Sequence, residues 1–149
     1  MRKDFDKIFQ SFNKLKVLII GDVMIDSYFI GRVDRISPEA PVPIVAVEKK
    51  ENRLGGAANV ALNIKALGAE PILCSIIGKD FQGDIFLDLL KNNQITSKGI
   101  IRSSSRITTT KTRVIGNNVQ MLRVDEEKVE EITSKESNKL INLIEDLIK

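Results

Sequence analysis

The chain has 149 residues, 42% of them hydrophobic and 29% charged, with a net charge of +3. That is one globular domain's worth of chain with enough apolar residues for a core, unlike a disordered or fibrous sequence. It has no histidine, no tryptophan and one cysteine, which excludes a Ser-His-Asp or Cys-His nucleophile, an H-E-x-x-H zinc site, an intrachain disulfide and a multi-cysteine metal site.

Phe5, Ile8, Phe9, Phe12 and Leu15 recur at helical spacing and predict an opening amphipathic helix. The N-terminal MRKDFDKIFQSFNK has no apolar h-region and does not read as a secretory signal. Val17–Ile20, a continuous apolar run ending in Gly21-Asp22, reads as a buried parallel strand. No apolar run approaches the ~18 residues of a membrane span. Residues 28–33 and 42–47 are strand-like. Between them, Pro38, Pro41 and Pro43 exclude helix and predict an extended edge or lid segment. Residues 57–67 predict a helix with Ala57, Val60, Ala61, Ile64 and Leu67 as its apolar stripe and Gly68 as its stop.

Pro71–Ile77 reads as a second buried strand. It contains Cys74, expected as a buried, inert thiol in a reducing, cytoplasmic setting. Asp80 suits the N-cap of a helix whose apolar face is Phe81, Ile85, Phe86, Leu89 and Leu90. Residues 108–115 and 119–124 are β-rich and joined by Gly116-Asn117-Asn118, a hairpin signal. Thr133 and Glu136 form a capping box ahead of Leu140, Ile144 and Leu147. Strands alternating with helices predict an α/β fold with a mainly parallel sheet. Only 17–21 and 72–77 read as its buried strands, so the chain resembles the first half of something larger.

Charge is uneven. Residues 125–149 hold 8 acids and 4 bases, whereas from Leu89 to Val124 there is no acid against seven bases: Lys91, Lys98, Arg102, Arg106, Lys111, Arg113 and Arg123. Such a stretch suits an anionic ligand or is a solvated surface. Nucleic acid is not the expected partner, because the stretch has no aromatic residue for base stacking and its bases do not form a run.

The segment Arg53-Leu54-Gly55-Gly56-Ala57-Ala58-Asn59-Val60-Ala61 leads two glycines straight into a helix. Residues without Cβ let backbone come close to a ligand, the first helical amides favour oxygen-rich groups, and Asn59 offers donors and acceptors suited to sugar hydroxyls. The segment is neither a Walker A loop nor G-x-G-x-x-G. With Gly21-Asp22-Val23-Met24-Ile25-Asp26 before it and Leu67-Gly68-Ala69 after it, it resembles the N-terminal signature of the ribokinase-like (PfkB) carbohydrate kinases. Gly31 to Pro43, with its Ser37-Pro38-Glu39-Ala40-Pro41, together with Thr108 to Val114 and Gln120 to Asp125, narrows the resemblance to the heptose 7-phosphate kinase branch, found also as the kinase half of a bifunctional kinase/ADP-heptose synthase.

The resemblance implies the N-terminal half of a three-layer α/β/α fold with a β-lid at approximately residues 28–53. It implies that Asp26, at the end of the first strand, accepts from sugar hydroxyls, that Gly55, Gly56 and Asn59 hold the sugar from the other side, and that Lys111, Arg113 and Arg123 are candidates for the substrate phosphate. Without the family, Asp26 equally fits a turn cap, Asn59 a buried amide tying a helix to a loop, and Arg123 a partner of Asp125. The implied activity is transfer of the ATP γ-phosphoryl, with Mg²⁺, to the anomeric hydroxyl of a heptose 7-phosphate on the way to lipopolysaccharide. The implied assembly is a homodimer through the lid.

The family keeps its catalytic residues, including a Gly-Ala-Gly-Asp anion hole with its general base and an Asn-x-x-Glu associated with Mg²⁺, in the C-terminal half. Gly-Ala-Gly-Asp is absent from these 149 residues. General base catalysis and phosphoryl transfer both need such groups in place. The chain alone is therefore expected to be a truncated kinase domain with no catalytic residue or metal ligand of its own, binding neither ATP nor Mg²⁺, and poorly soluble or dimeric. The alternatives are a non-catalytic sugar-phosphate-binding or dimerisation module and a kinase for another sugar.

Overall fold

A computed structural model describes residues 2–149. Its centre is strand β4 (Glu70–Gly78), flanked in parallel by β1 (Lys16–Ile20) and β5 (Ile100–Ser103). The third strand, β5, is one more than the hydrophobic pattern identified. It is only four residues long and carries Arg102, so it lacks the unbroken apolar run of a central strand. β4, paired on both sides, is almost wholly buried, with Leu73 and Cys74 fully so. β1 is an edge: Ile19 is buried but Ile20 is 56% exposed, so the expected buried strand is buried on one face only.

A second, four-stranded sheet has the order β3-β2-β6-β7. β2 (Val23–Ile36) and β3 (Pro43–Gly56) form a long antiparallel hairpin, β6 (Thr110–Gly116) runs parallel to β2, and β7 (Val119–Glu126) closes antiparallel on β6. The strands foreseen at 28–33 and 42–47 are thus the middle of one 14-residue strand and, from Pro43, the start of the other. The proline-containing turn between them spans residues 37–42 and is closed by Ser37 N–H donating to Val42 O at 2.8 Å. At the other hairpin, Asn117 and Asn118 take positive φ (51° and 63°), as a tight turn between twisted strands requires.

Helix α1 (Arg2–Phe12) opens the chain, and Phe5, Ile8 and Phe9 on it remain exposed. Helix α2 (Ala57–Ala66) lies against β4 and β1 on Ala58 and Ala61, both fully buried, because methyl-sized side chains let a helix come close to a sheet. Val60 and Leu67, expected on the inner stripe, face outward. In helix α3 (Phe81–Asn92), Phe86 and Leu90 are fully buried, but Phe81, the first helical residue, is 75% exposed rather than part of the apolar face. The core joins both sheets: Val23, Ile25 and Leu54 of the second pack with Leu73 and Ile77 of the first and with Phe86 of α3. Helix α4 (Ser134–Leu147) has the capping box foreseen, and Glu136 also accepts from Ser105 Oγ at 2.7 Å and from Ser103 Oγ, tying α4 to the end of β5.

A second tie fixes the sheets to each other. Asp80 caps α3 through Gly83 N–H (2.7 Å), and the Thr108 N–H and hydroxyl each donate to its carboxylate at 2.7 Å. Gly78 N–H donates to Thr108 Oγ1 at 3.0 Å. A Cβ on Gly78 would lie 2.3 Å from Asp80 Oδ2, so this junction of β4, α3 and the approach to β6 requires a glycine there. Burial alone would push the Asp80 pKa up, but the bonds from Thr108 and Gly83 and the charge of Arg102 outweigh it and hold the carboxyl below its ordinary value. The bonds from Ser103 and Ser105 hold Glu136 down at about 2.

Asp80→Ala leaves the Thr108 and Gly83 donors unpaired and is expected to cost about 2–4 kcal/mol in urea unfolding. Asp88→Ala, on the exposed side of α3, should change little. A cost for Asp80→Ala no larger than that of Asp88→Ala contradicts the junction. Both depressed carboxyls stabilise the fold fully above their unfolded values. For Glu136 that contribution should fade as pH falls from 4.5 towards about 2, which acid titration of the circular dichroism signal reads directly.

Candidate functional site on the four-stranded sheet

Side chains alternate across a strand, and register partners in a ladder share a face. Asp26 pairs with Arg53 on β3 and Lys111 on β6, Tyr28 with Glu51 and Arg113, and Lys111 and Arg113 in turn with Asp125 and Arg123 on β7. One face of the sheet therefore carries Asp26, Tyr28, Glu51, Arg53, Lys111, Arg113, Arg123 and Asp125, with Gly55 beside Met24. Of the residues singled out in the sequence, the structure brings Asp26, Gly55, Lys111, Arg113 and Arg123 together here. Asp26 is not at the end of the first strand. β1 ends at Ile20, and after Gly21-Asp22 the chain starts β2, with Asp26 as its fourth residue.

The charges form an alternating lattice. Arg113 donates to Asp26 Oδ1 at 2.5 Å, and this bond raises the arginine's pKa. Lys111 lies 3.2 Å from Asp125 and 3.1 Å from Glu127, and Arg123 Nε donates to Asp125 Oδ1 at 2.9 Å. The acid-free stretch of sequence is thus not a one-sign surface, because β2 and β7 supply the opposing carboxylates. A continuous track for a polyanion does not form here, because the cations are interleaved with carboxylates.

Asp26 Oδ2 has no hydrogen-bond partner among the described residues, and it faces β3. A Cβ on Gly55 would stand 2.6 Å from it and 2.7 Å from Met24 Cγ, so the glycine makes room for this carboxylate. Gly56 caps α2 at φ +60°, and Ala57 N–H donates to Asp22 O at 2.8 Å. Asn59, the third residue of α2, is exposed, and its side chain has no hydrogen bond among the described residues. It is therefore not the buried amide considered as an alternative.

A cleft of about 910 Å³ opens at the carboxyl ends of β1 and β4, lined among others by Asp22, Met24, Ile77, Thr109, Lys111 and Glu127. Crevices at this end of parallel strands are where α/β proteins take ligands. Lys111 lines the cleft, while Asp26, Gly55, Gly56 and Asn59 do not. Asp22 and Met24, against which Gly56 packs, connect the two places. Arg53, at the head of the glycine segment, and Tyr28, at the start of the expected lid, had no site role in the sequence. The Arg53 guanidinium lies 4.7 Å and that of Arg113 5.4 Å from the Tyr28 ring centre. The spacing Asn-x-x-Glu does occur, at Asn142 to Glu145, but on the exposed side of α4. Among the described residues no group of three or more Cys, Asp or Glu is placed to hold a metal ion.

A sequence profile described as pfkB family carbohydrate kinase matches residues 14–147. The chain is 42% identical over 134 residues to a bifunctional protein HldE of Helicobacter pylori (strain HPAG1), covering 90% of this chain and 29% of that protein. It is 39% identical over 143 residues to the bifunctional protein HldE of Geobacter sulfurreducens, covering 96% of this chain and again 29% of the relative. The chain thus spans under a third of the length of these curated relatives. Among solved structures, a Methanocaldococcus jannaschii nucleoside kinase of the ribokinase family superposes with a TM-score of 0.55 at 24% identity over 74% of this chain and 36% of that one. A fructokinase with bound ATP from Xylella fastidiosa gives 0.53 at 20% identity over 75% and 30%. At these identities the likeness shows the fold, which is ribokinase-like.

Gly55→Ala is expected to destabilise by roughly 1–3 kcal/mol, because the new methyl overlaps the Asp26 carboxylate. Gly21→Ala, whose Cβ would meet only Ala57 Cβ at 3.3 Å, is the matched control. Equal urea midpoints for the two variants contradict the packing role of Gly55.

Proposed function

The chain belongs to the pfkB family of carbohydrate kinases, and we propose that it is the sugar-binding and lid portion of a kinase acting on D-glycero-β-D-manno-heptose 7-phosphate. The parent reaction transfers the ATP γ-phosphoryl to the anomeric hydroxyl in ADP-heptose synthesis for the lipopolysaccharide core. The observation that carries the reading is the free Asp26 Oδ2, held open by Gly55 and oriented by the Arg113 bond to Oδ1. A carboxylate fixed on one oxygen and free on the other is a strong acceptor for a sugar hydroxyl. Asn59 supplies donors and acceptors from the helix mouth, and Lys111, Arg113 and Arg123 add positive charge to the face towards which the phosphate is drawn. Similarity to the bifunctional HldE proteins supports the heptose assignment.

The kinase activity of the family brings ATP, and with it Mg²⁺, which neutralises the phosphates in phosphoryl transfer. The part of these 149 residues is to bind and orient the sugar, and alone they do not turn ATP over. The four-stranded sheet is the lid. Its outer strand β7 exposes Leu122 and Val124, which favours pairing with a second copy as a homodimer. The reading places the chain in the cytoplasm, where ATP and a free, buried Cys74 are both at home. No helix among the described residues is long and apolar enough to cross a membrane.

Calorimetry with heptose 7-phosphate should show saturable binding without ATP, and a coupled assay should show no ATP consumption by the chain alone. Asn59→Ala should weaken binding about tenfold, the worth of one hydrogen bond of about 1.4 kcal/mol. An unchanged affinity removes Asn59 from the site. Turnover by the 149-residue chain contradicts the division of labour.

A further inference from the structure

Asp26 presents its two oxygens to different sides. Oδ1 is taken by Arg113, on the β6 side, and Oδ2 faces Gly55, on the β3 side. A ligand hydroxyl at Oδ2 therefore comes in over β3, and the cation standing there is Arg53, the ladder partner of Asp26 and two residues before Gly55. Its setting differs from that of the other cations on the face. Lys111 is 20% exposed with two acids against its ammonium, and Arg113 is committed to Asp26. Arg123 stands on β7, two strands beyond Asp26. The Arg53 side chain is 56% exposed.

Arg53 is also held in one orientation. Its guanidinium packs on the Tyr28 ring, and its Nε donates to Glu51 Oε1 at 2.8 Å. Glu51 is itself braced by Lys49, 2.9 Å away, and its pKa is held at about 2 by its bonds from Arg53 and Lys49, so it stays ionised. With Nε occupied and the guanidinium over a ring, the two terminal nitrogens make no hydrogen bond among the described residues, on a side chain that is more than half exposed. A guanidinium fixed this way loses little entropy on binding and matches the oxygen spacing of a phosphate monoester.

We propose that Arg53, propped on Tyr28 and pinned by Glu51, takes the phosphate group of the sugar phosphate and so makes the site select phosphorylated over unphosphorylated sugars. The inference rests on the sugar-binding reading above. It adds a specificity residue from outside the acid-free stretch and assigns Tyr28 and Glu51 as its supports.

The test titrates the 149-residue chain, at fixed low ionic strength, with heptose 7-phosphate and with unphosphorylated heptose. The wild-type chain should bind both and prefer the ester. Arg53→Gln should cut affinity for the ester roughly ten- to a hundredfold while leaving the plain sugar within about twofold. Arg53→Lys, which keeps the charge but not the planar fork, should lose part of the preference and carries the test if the glutamine variant does not fold. Arg32→Gln, which removes a cation from the distal part of β2, should change neither affinity. An undiminished preference in both Arg53 variants overturns the inference and spares the sugar site, as does an equal loss for both sugars. If the wild-type chain binds neither sugar, the sugar-binding reading itself falls and takes the inference with it.

Discussion

A single carboxylate organises the polar face of this chain. Asp26 is partly buried in the middle of a four-stranded sheet, where an unneutralised charge is costly and a neutralised one still needs room. Arg113 provides the neutralisation from β6, and the absent side chain of Gly55 provides the room on β3. Because these supports come from two different strands on either side of β2, one oxygen is tied and the other left accessible. Among the described residues the second aspartate oxygen has no partner, which is what lets the proposed sugar site use this ion pair.

That arrangement holds only if the four-stranded sheet keeps its place on the α/β core. Two features ensure it. Val23, Ile25 and Leu54 run from the base of the sheet into the same apolar cluster as Leu73, Ile77 and Phe86. Asp80 then bonds Thr108, and Thr109 O accepts from Ile25 N–H at 2.9 Å, so the approach to β6 is clamped to the end of β4 and to β2 at once. Lys111 and Arg113 follow directly from that clamp. Geometry at the polar face is inherited from hydrogen bonds on the buried side.

Local chemistry was legible in the sequence wherever it sufficed to decide the structure. Gly68 stops α2, Asp80 caps α3, Thr133 and Glu136 form a capping box, and Gly116-Asn117-Asn118 turns the second hairpin, because each depends on residues within one turn of chain. The motif around Gly55, Gly56 and Asn59 led to the pfkB family, whose profile covers residues 14–147. What the sequence did not reveal depends on neighbours far along the chain. β5 is too short to announce itself. Val60, Leu67 and Phe81 are apolar yet outward, because the closest approach to the sheet belongs to alanines on α2 and to Phe86 on α3. The basic stretch looked opposed only at Arg123, whose pairing with Asp125 two residues on was open to sequence reading and is formed; Asp26 meets Arg113, and Asp125 meets Lys111, only once the strands of the sheet are paired. The Arg53–Tyr28 stack depends on the hairpin register that sets Arg53 opposite Asp26 and Tyr28 opposite Glu51.

The most direct measurement is amide chemical-shift mapping of the isotope-labelled chain as heptose 7-phosphate is added. If the polar face is the sugar site, the largest changes fall on residues 24–28, 53–59 and 111–113, three segments that are separate in sequence and adjacent across one sheet. Changes confined to residues 126–138 beside the cleft, with 24–28 and 53–59 unmoved, would contradict the account.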